Sequence, residues 1–119
     1  MILYKAADLI WATRIKETAD ALGLPCRPAR NPDMLDARLA EGPVAAFLLD
    51  LHADDALDLL MHLRAADASP KPRVLAFGPH VRKELLQAAR DGGADEVMTN
   101  GAFEHDLPEV LIRLAGRGP

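Results

Sequence analysis

An aspartate follows the most apolar stretch of the chain, and two further polar groups come soon after it. Six apolar residues run from Val44 to Leu49, a pattern typical of a strand buried on both faces of a parallel sheet. Asp50 comes next, followed by His52 and Asp54. Because ligands collect at the carboxyl ends of strands in open α/β sheets, this rim is the predicted place for chemistry. Its carboxylates and imidazole could together bind a metal ion.

The other candidate residues have simpler structural interpretations. Asp8 could join a metal site, but its position before a helical pattern favours an N-cap. Loops with several acids are common, so the sequence favours a chain without a metal ion or other cofactor. His80 would lie at the same rim, in contact with solvent, and Trp11 is expected in the core or in a partner contact. No nucleophile–base pair or phosphate-binding loop is present, so we do not expect an enzyme.

Composition predicts a single domain over residues 1–119. Half of the residues are apolar and 27% are charged, values typical of a globular protein with a hydrophobic core. The net charge of −4 gives no field that favours nucleic acid or acidic membranes. No apolar run is long enough to span a membrane, and no signal peptide is evident. Cys26, the only cysteine, is expected to be a small buried hydrophobe, and a cytoplasmic location is expected.

Five apolar segments alternate with five helical patterns. Parallel neighbouring strands need a crossover helix, so this alternation predicts a doubly wound parallel sheet. The predicted strands are Met1–Lys5, Leu24–Ala29 at an edge, Val44–Leu49, Arg73–Phe77 and Glu96–Thr99. The predicted helices run from the Asp8 cap to about Leu22, over Met34–Ala40 after the Asn31-Pro32 start, over Ala56–Arg64, over Val81–Asp91, and around Leu107, Val110, Leu111 and Leu114. Asn100-Gly101 is predicted to be a turn; Leu22, Val81, Leu85, Ala88 and Ala89 are predicted to face the core.

Three segments resemble the receiver domain of two-component response regulators. They are FLLDL at Phe47–Leu51, GGADEVMT at Gly92–Thr99 and ALG at Ala21–Gly23, and the resemblance extends over almost the whole chain. It implies the flavodoxin-like α/β fold, a doubly wound five-stranded parallel sheet in the order 2-1-3-4-5 with helices on both faces. It also implies a role in two-component signal transduction.

In receivers, five positions have a known function, and this chain has the expected residue at one of them. Asp50 matches the aspartate that receivers phosphorylate. The two neighbouring acids that hold Mg²⁺ fall on Ala6 and Ala7, the hydroxyl of strand four falls on Gly78, and the lysine of strand five falls on Asn100. Since phosphoryl transfer depends on positioning and charge neutralisation, these differences imply a degenerate receiver, or pseudo-receiver. For Asp50 we favour a structural role, in which the residue stays at the rim and caps helix three or pairs with Lys5, over a role as phosphoacceptor.

The function that this pattern favours is a stand-alone, atypical receiver-like domain. It would act in signalling through protein–protein contact, without phosphorylation. One alternative is a working aspartyl-phosphate acceptor in a phosphorelay, with Asp50 and a rebuilt Mg²⁺ site. Another is a small-molecule or metal sensor at the rim formed by Asp50, His52 and His80.

The resemblance also implies a partner surface formed by helix four, strand five and helix five. It would comprise Val81–Arg90, Glu96–Thr99 and Phe103–Arg113, and it would bind another signalling protein or a second copy of the chain. In a homodimer, Leu86, Phe103 and Val110 are expected to be partly covered between chains.

Overall fold

Five strands and five helices alternate along residues 1–116, the part of the chain that the computed structural model describes. The strands are β1 (Ile2–Lys5), β2 (Cys26–Pro28), β3 (Ala46–Asp50), β4 (Arg73–Gly78) and β5 (Glu96–Thr99). The helices are α1 (Leu9–Ala21), α2 (Pro32–Glu41), α3 (Ala56–Ala65), α4 (Lys83–Asp91) and α5 (Asn100–Leu114).

The strands form one parallel sheet in the order β2-β1-β3-β4-β5. This confirms the predicted topology. Every residue of the central strand β3 is buried, and alternate side chains enter opposite layers because strand side chains alternate between faces. Leu48 packs in the layer that contains Ile15 of α1 and Phe103 of α5. Phe47 and Leu49 pack in the layer that includes residues of α2, α3 and α4.

Three of the five helices begin with a side-chain cap. The side chains of Asp8, Asn31 and Thr99 accept hydrogen bonds from the first turns of α1, α2 and α5, which satisfies backbone N–H groups that have no partner within the helix. The predicted caps at Asp8 and Asn31 are therefore confirmed. Helices α3 and α4 begin without a side-chain cap.

The edge strand β2 and the aromatic residues also agree with the sequence patterns. Cys26 is buried in β2, and burial raises the pKa of its thiol to about 12. Trp11 packs on the core, with its ring 4.9 Å from that of Phe77 and 5.7 Å from that of Phe103. The Phe77 and Phe103 rings are stacked at 4.1 Å, which joins α1, β4 and α5 in one apolar layer.

Three local predictions were wrong, all of them near helix ends. Asn100-Gly101 is not a turn but the first turn of α5, because Thr99 Oγ1 accepts from Ala102 N and starts the helix there. Leu22 follows α1 as its C-cap and is exposed instead of facing the core. Val81 is 70% exposed, because a turn closed by the Arg82 N–H bond to Pro79 O precedes α4.

The shifted start of α4 predicts different costs for two neighbouring apolar residues. Leu86 is only 8% exposed, so Leu86→Ala should lower the free energy of unfolding by about 2–5 kcal/mol through lost burial and a cavity. The control Val81→Ala should change it by less than about 0.5 kcal/mol, because the side chain is already in solvent. Urea unfolding followed by circular dichroism measures both. Equal losses would contradict this position of α4.

Candidate functional site

The carboxylate of Asp50 lies fully buried at the carboxyl end of β3. Its exposed fraction is 0%, and among residues 1–116 it is the only charged residue buried in this way. One oxygen, Oδ2, accepts from the backbone N–H of Ala7 at 2.8 Å. The other, Oδ1, accepts from the backbone N–H of His52 at 2.9 Å and from its ring Nδ1 at 2.7 Å. Three short hydrogen bonds therefore replace the water that burial removes.

His52 connects Asp50 to the start of α5. Its Nε2 lies 3.2 Å from Nδ2 of Asn100, and an amide nitrogen can only donate. The contact therefore fits a ring whose Nδ1 donates to Asp50 and whose Nε2 accepts from Asn100. The amide oxygen of Asn100 is buried and has no hydrogen-bond partner within residues 1–116.

Apolar side chains fill the space beside Gly78, the last residue of β4. A Cβ added to Gly78 would lie 3.2 Å from Cβ of Leu51 and 3.3 Å from both Cδ1 of Leu51 and Cδ2 of Leu86. These distances are shorter than almost all ordinary carbon contacts. The packed leucines therefore leave no free space for a side chain at this position.

The partners that the sequence favoured for Asp50 are wrong. Lys5 Nζ donates to the backbone oxygen of Arg30 at 2.8 Å and lies 3.4 Å from Oδ1 of Asp55. Asp50 does not cap α3, since the N-cap residue of that helix is Asp55, which makes no side-chain cap bond. The physical reason is that the loops after β1 and β3 supply other donors to both Asp50 oxygens, namely the N–H of Ala7 and the N–H and ring of His52.

A pocket of about 300 Å³ adjoins the rim. Its wall includes His52 and Asp54 from the loop after β3, and Pro79, Arg82 and Leu85 from the region after β4. The Arg82 guanidinium bonds to Glu84 at 2.6 Å. His80 is exposed and does not line this pocket, so the structure does not bring it together with His52 there.

Solved receiver domains have the same fold. The receiver domain of NtrX from Brucella abortus superposes with a TM-score of 0.79 at 19% identity over 99% of this chain and 100% of that one. A signal receiver domain from Bermanella marisrubri gives 0.77 at 24% identity over 95% of each chain. The receiver domain of a Pseudomonas aeruginosa sensor histidine kinase, whose structure has magnesium coordinated in the active-site cleft, gives 0.78 at 15% identity over 97% and 96%. The chain has the receiver fold.

Sequence comparison adds nothing to this likeness in fold. No protein-family model matches the chain, and no curated protein matches it. At the carboxyl rim of this sheet, Asp50 ends β3 and Gly78 ends β4. Ala6 and Ala7 follow β1, and Asn100 follows β5. The structure thus brings the five predicted positions to one rim.

The groups at this rim do not suit Mg²⁺. Mg²⁺ requires an octahedral set of oxygen ligands, whereas Ala6 and Ala7 supply no carboxylate and both Asp50 oxygens face N–H donors. The Asp8 carboxylate accepts from Trp11 N as the cap of α1. Across the described part of the chain, no three His, Cys, Asp or Glu residues are grouped as a metal site.

The contact between His52 and Asn100 was missed by the sequence analysis. The two residues are 48 positions apart, so no local pattern joins them. The available signal was topological: both follow strands that end at the same rim of a parallel sheet. His52 is thus a hydrogen-bonding partner of Asp50 through both its backbone N–H and its ring.

The crowding at Gly78 makes a specific prediction. Restoring a hydroxyl with Gly78→Ser should lower the free energy of unfolding by about 1–3 kcal/mol, because the new Cβ displaces Leu51 and Leu86. The control Gly101→Ser should cost less, since a Cβ there meets nothing within 4 Å. Thermal and urea unfolding measure both changes. A Gly78→Ser protein as stable as the native one would contradict the packing described here.

Proposed function

We propose that the chain is a receiver-like signalling domain that acts through protein–protein contact without phosphorylation of Asp50. The observation that carries the proposal is the state of that carboxylate, which is fully buried with three hydrogen bonds to protein N–H groups. Because the carboxylate has no exposed surface, neither oxygen can reach a phosphoryl donor unless a covering group moves. The fold supports the signalling class, because the solved domains that share it are receivers.

The charge at the rim supports the same proposal. Phosphoryl transfer needs positive charge on the moving group, usually from a metal ion and a lysine. Ala6 and Ala7 cannot hold the metal, and Asn100 supplies an amide in place of an ammonium. Losing one such electrostatic group typically costs about a hundredfold or more in rate. The domain would therefore depend on its surface for signalling, as an interaction module and not as an enzyme.

The expectation that Leu86, Phe103 and Val110 would be partly covered between chains is wrong. Leu86, Phe103 and Val110 are buried within the chain itself, so they are not free to be covered by a partner. The exposed side chains of α4 and α5 are mainly charged or polar. Glu96 of β5, for example, bonds to Arg113 at 2.5 Å and to Arg73 at 3.4 Å. A partner at this surface would meet ion pairs, with Ile112 as an exposed apolar residue.

The pocket of about 300 Å³ beside His52 favours one alternative function, a small-molecule sensor. It has polar groups from two loops and an apolar floor that includes Leu51 and Leu85, the usual mixture in ligand sites. We rank it second, because His52, its most central polar group, is already bonded to both Asp50 and Asn100.

Incubation with acetyl phosphate and Mg²⁺ tests the main proposal against a working phosphoacceptor. We expect no added phosphoryl group on the native chain, because no carboxylate pair holds the metal and no lysine meets the phosphate. Intact-protein mass spectrometry measures this, with Asp50→Asn as the matched control. A prompt gain of one phosphoryl group in the native chain and none in the control would establish the phosphoacceptor function instead.

Sedimentation tests whether the surface of α4, β5 and α5 pairs two copies. If it does, the native chain should sediment as a dimer and Ile112→Glu as a monomer, because a charge is placed on a residue that is 43% exposed. The control Met61→Glu lies on α3, where Met61 is 65% exposed, and it should remain dimeric. A monomeric native chain at every accessible concentration would exclude the homodimer and leave a different protein as the partner.

A further inference from the structure

The ring of His52 covers the carboxylate of Asp50. Asp50 is completely inaccessible, whereas the side chain of His52 is 38% exposed. The ring therefore lies between the carboxylate and solvent, with its Nδ1 bonded inward to Asp50. The other oxygen of Asp50 accepts from the backbone N–H of Ala7. The bond from the His52 ring comes from a side chain, and a side chain can rotate without moving the backbone.

The outer end of the ring is held more weakly than the inner end. The inner contact to Asp50 is 2.7 Å, whereas the contact between Nε2 and Asn100 is 3.2 Å. Asn100 also keeps its amide oxygen buried and without a partner in the described chain. The amide of Asn100 therefore holds the ring through one long hydrogen bond.

His52 also belongs to the wall of the neighbouring pocket of about 300 Å³. This open space lies beside the ring, and Leu51, which packs against Gly78, also lines it. We infer that His52 is a lid over Asp50, latched by Asn100, and that solutes reach the carboxylate only when this lid opens. The inference concerns access to Asp50, so it holds whether or not the carboxylate is ever phosphorylated.

Carboxyl labelling of the folded chain tests the lid. A water-soluble carbodiimide activates an accessible carboxyl group, and glycinamide then forms a stable amide that peptide mass spectrometry assigns to a residue. In the native chain, Asp50 should be labelled far more slowly than the exposed Asp33. His52→Ala removes the lid and should raise the rate at Asp50 at least tenfold. Asn100→Ala keeps the ring but removes the latch, and should give an intermediate rate.

Two controls separate the lid from a general loss of structure. His80→Ala changes an exposed histidine in the next loop and should leave the rate at Asp50 unchanged, while the rate at Asp33 should be the same in every variant. Circular dichroism confirms that each variant is folded during labelling. Native Asp50 labelled as fast as Asp33, or His52→Ala labelled as slowly as the native chain, would overturn the lid. Asn100→Ala labelled at the native rate would overturn the latch.

Discussion

A fully buried carboxylate is the constraint on which the carboxyl rim of this sheet depends. Removing an ionised group from water costs several kcal/mol unless hydrogen bonds replace its hydration. For Asp50 the replacement comes from Ala7 on one side and from His52 on the other. The loops after β1 and after β3 must therefore both approach the carboxylate oxygens of Asp50, which lie at the end of the central strand. The position of these two loops follows from one charge.

The remaining rim positions are adapted to each other as a set. Gly78 leaves space that Leu51 and Leu86 occupy, and Asn100 offers an amide that meets the outer nitrogen of His52. Introducing the receiver-type residue at one of these positions alone would therefore disturb contacts that the neighbouring side chains now make. Effects of neighbouring residues that share partners are not additive. A single substitution is therefore a poor test of whether this rim could support phosphoryl transfer, since Leu51 and His52 would keep their present contacts.

The sequence predicted the sheet well and the contacts of the site poorly. The parallel, doubly wound sheet followed from the alternating apolar and helical patterns, whereas its strand order was implied by the resemblance to receivers. The capping positions Asp8 and Asn31 followed from short-range hydrogen bonding. Asn100-Gly101 misled because its residue types suit turns, yet the preceding Thr99 caps a helix there. The bond between His52 and Asn100 joins residues far apart in the chain, so only the folded rim defines it. Local rules predict elements, whereas long-range geometry decides which side chains meet.

The proposed signalling function needs two states that a partner can distinguish, because a partner shifts an equilibrium only by binding one state better. The usual source of that difference, a new phosphate that attracts a hydroxyl and a lysine, has no counterpart at Gly78 and Asn100. Near Asp50 the polar group free to adopt a second rotamer is His52, since Ala7 contributes only backbone. Its outer contact is to the first turn of α5, whose far end carries Arg113 in the ion pair with Glu96. Within the proposed function, a change in the position of His52 would therefore reach the partner surface through α5. A partner that held α5 in its present position would in turn favour the closed position of His52.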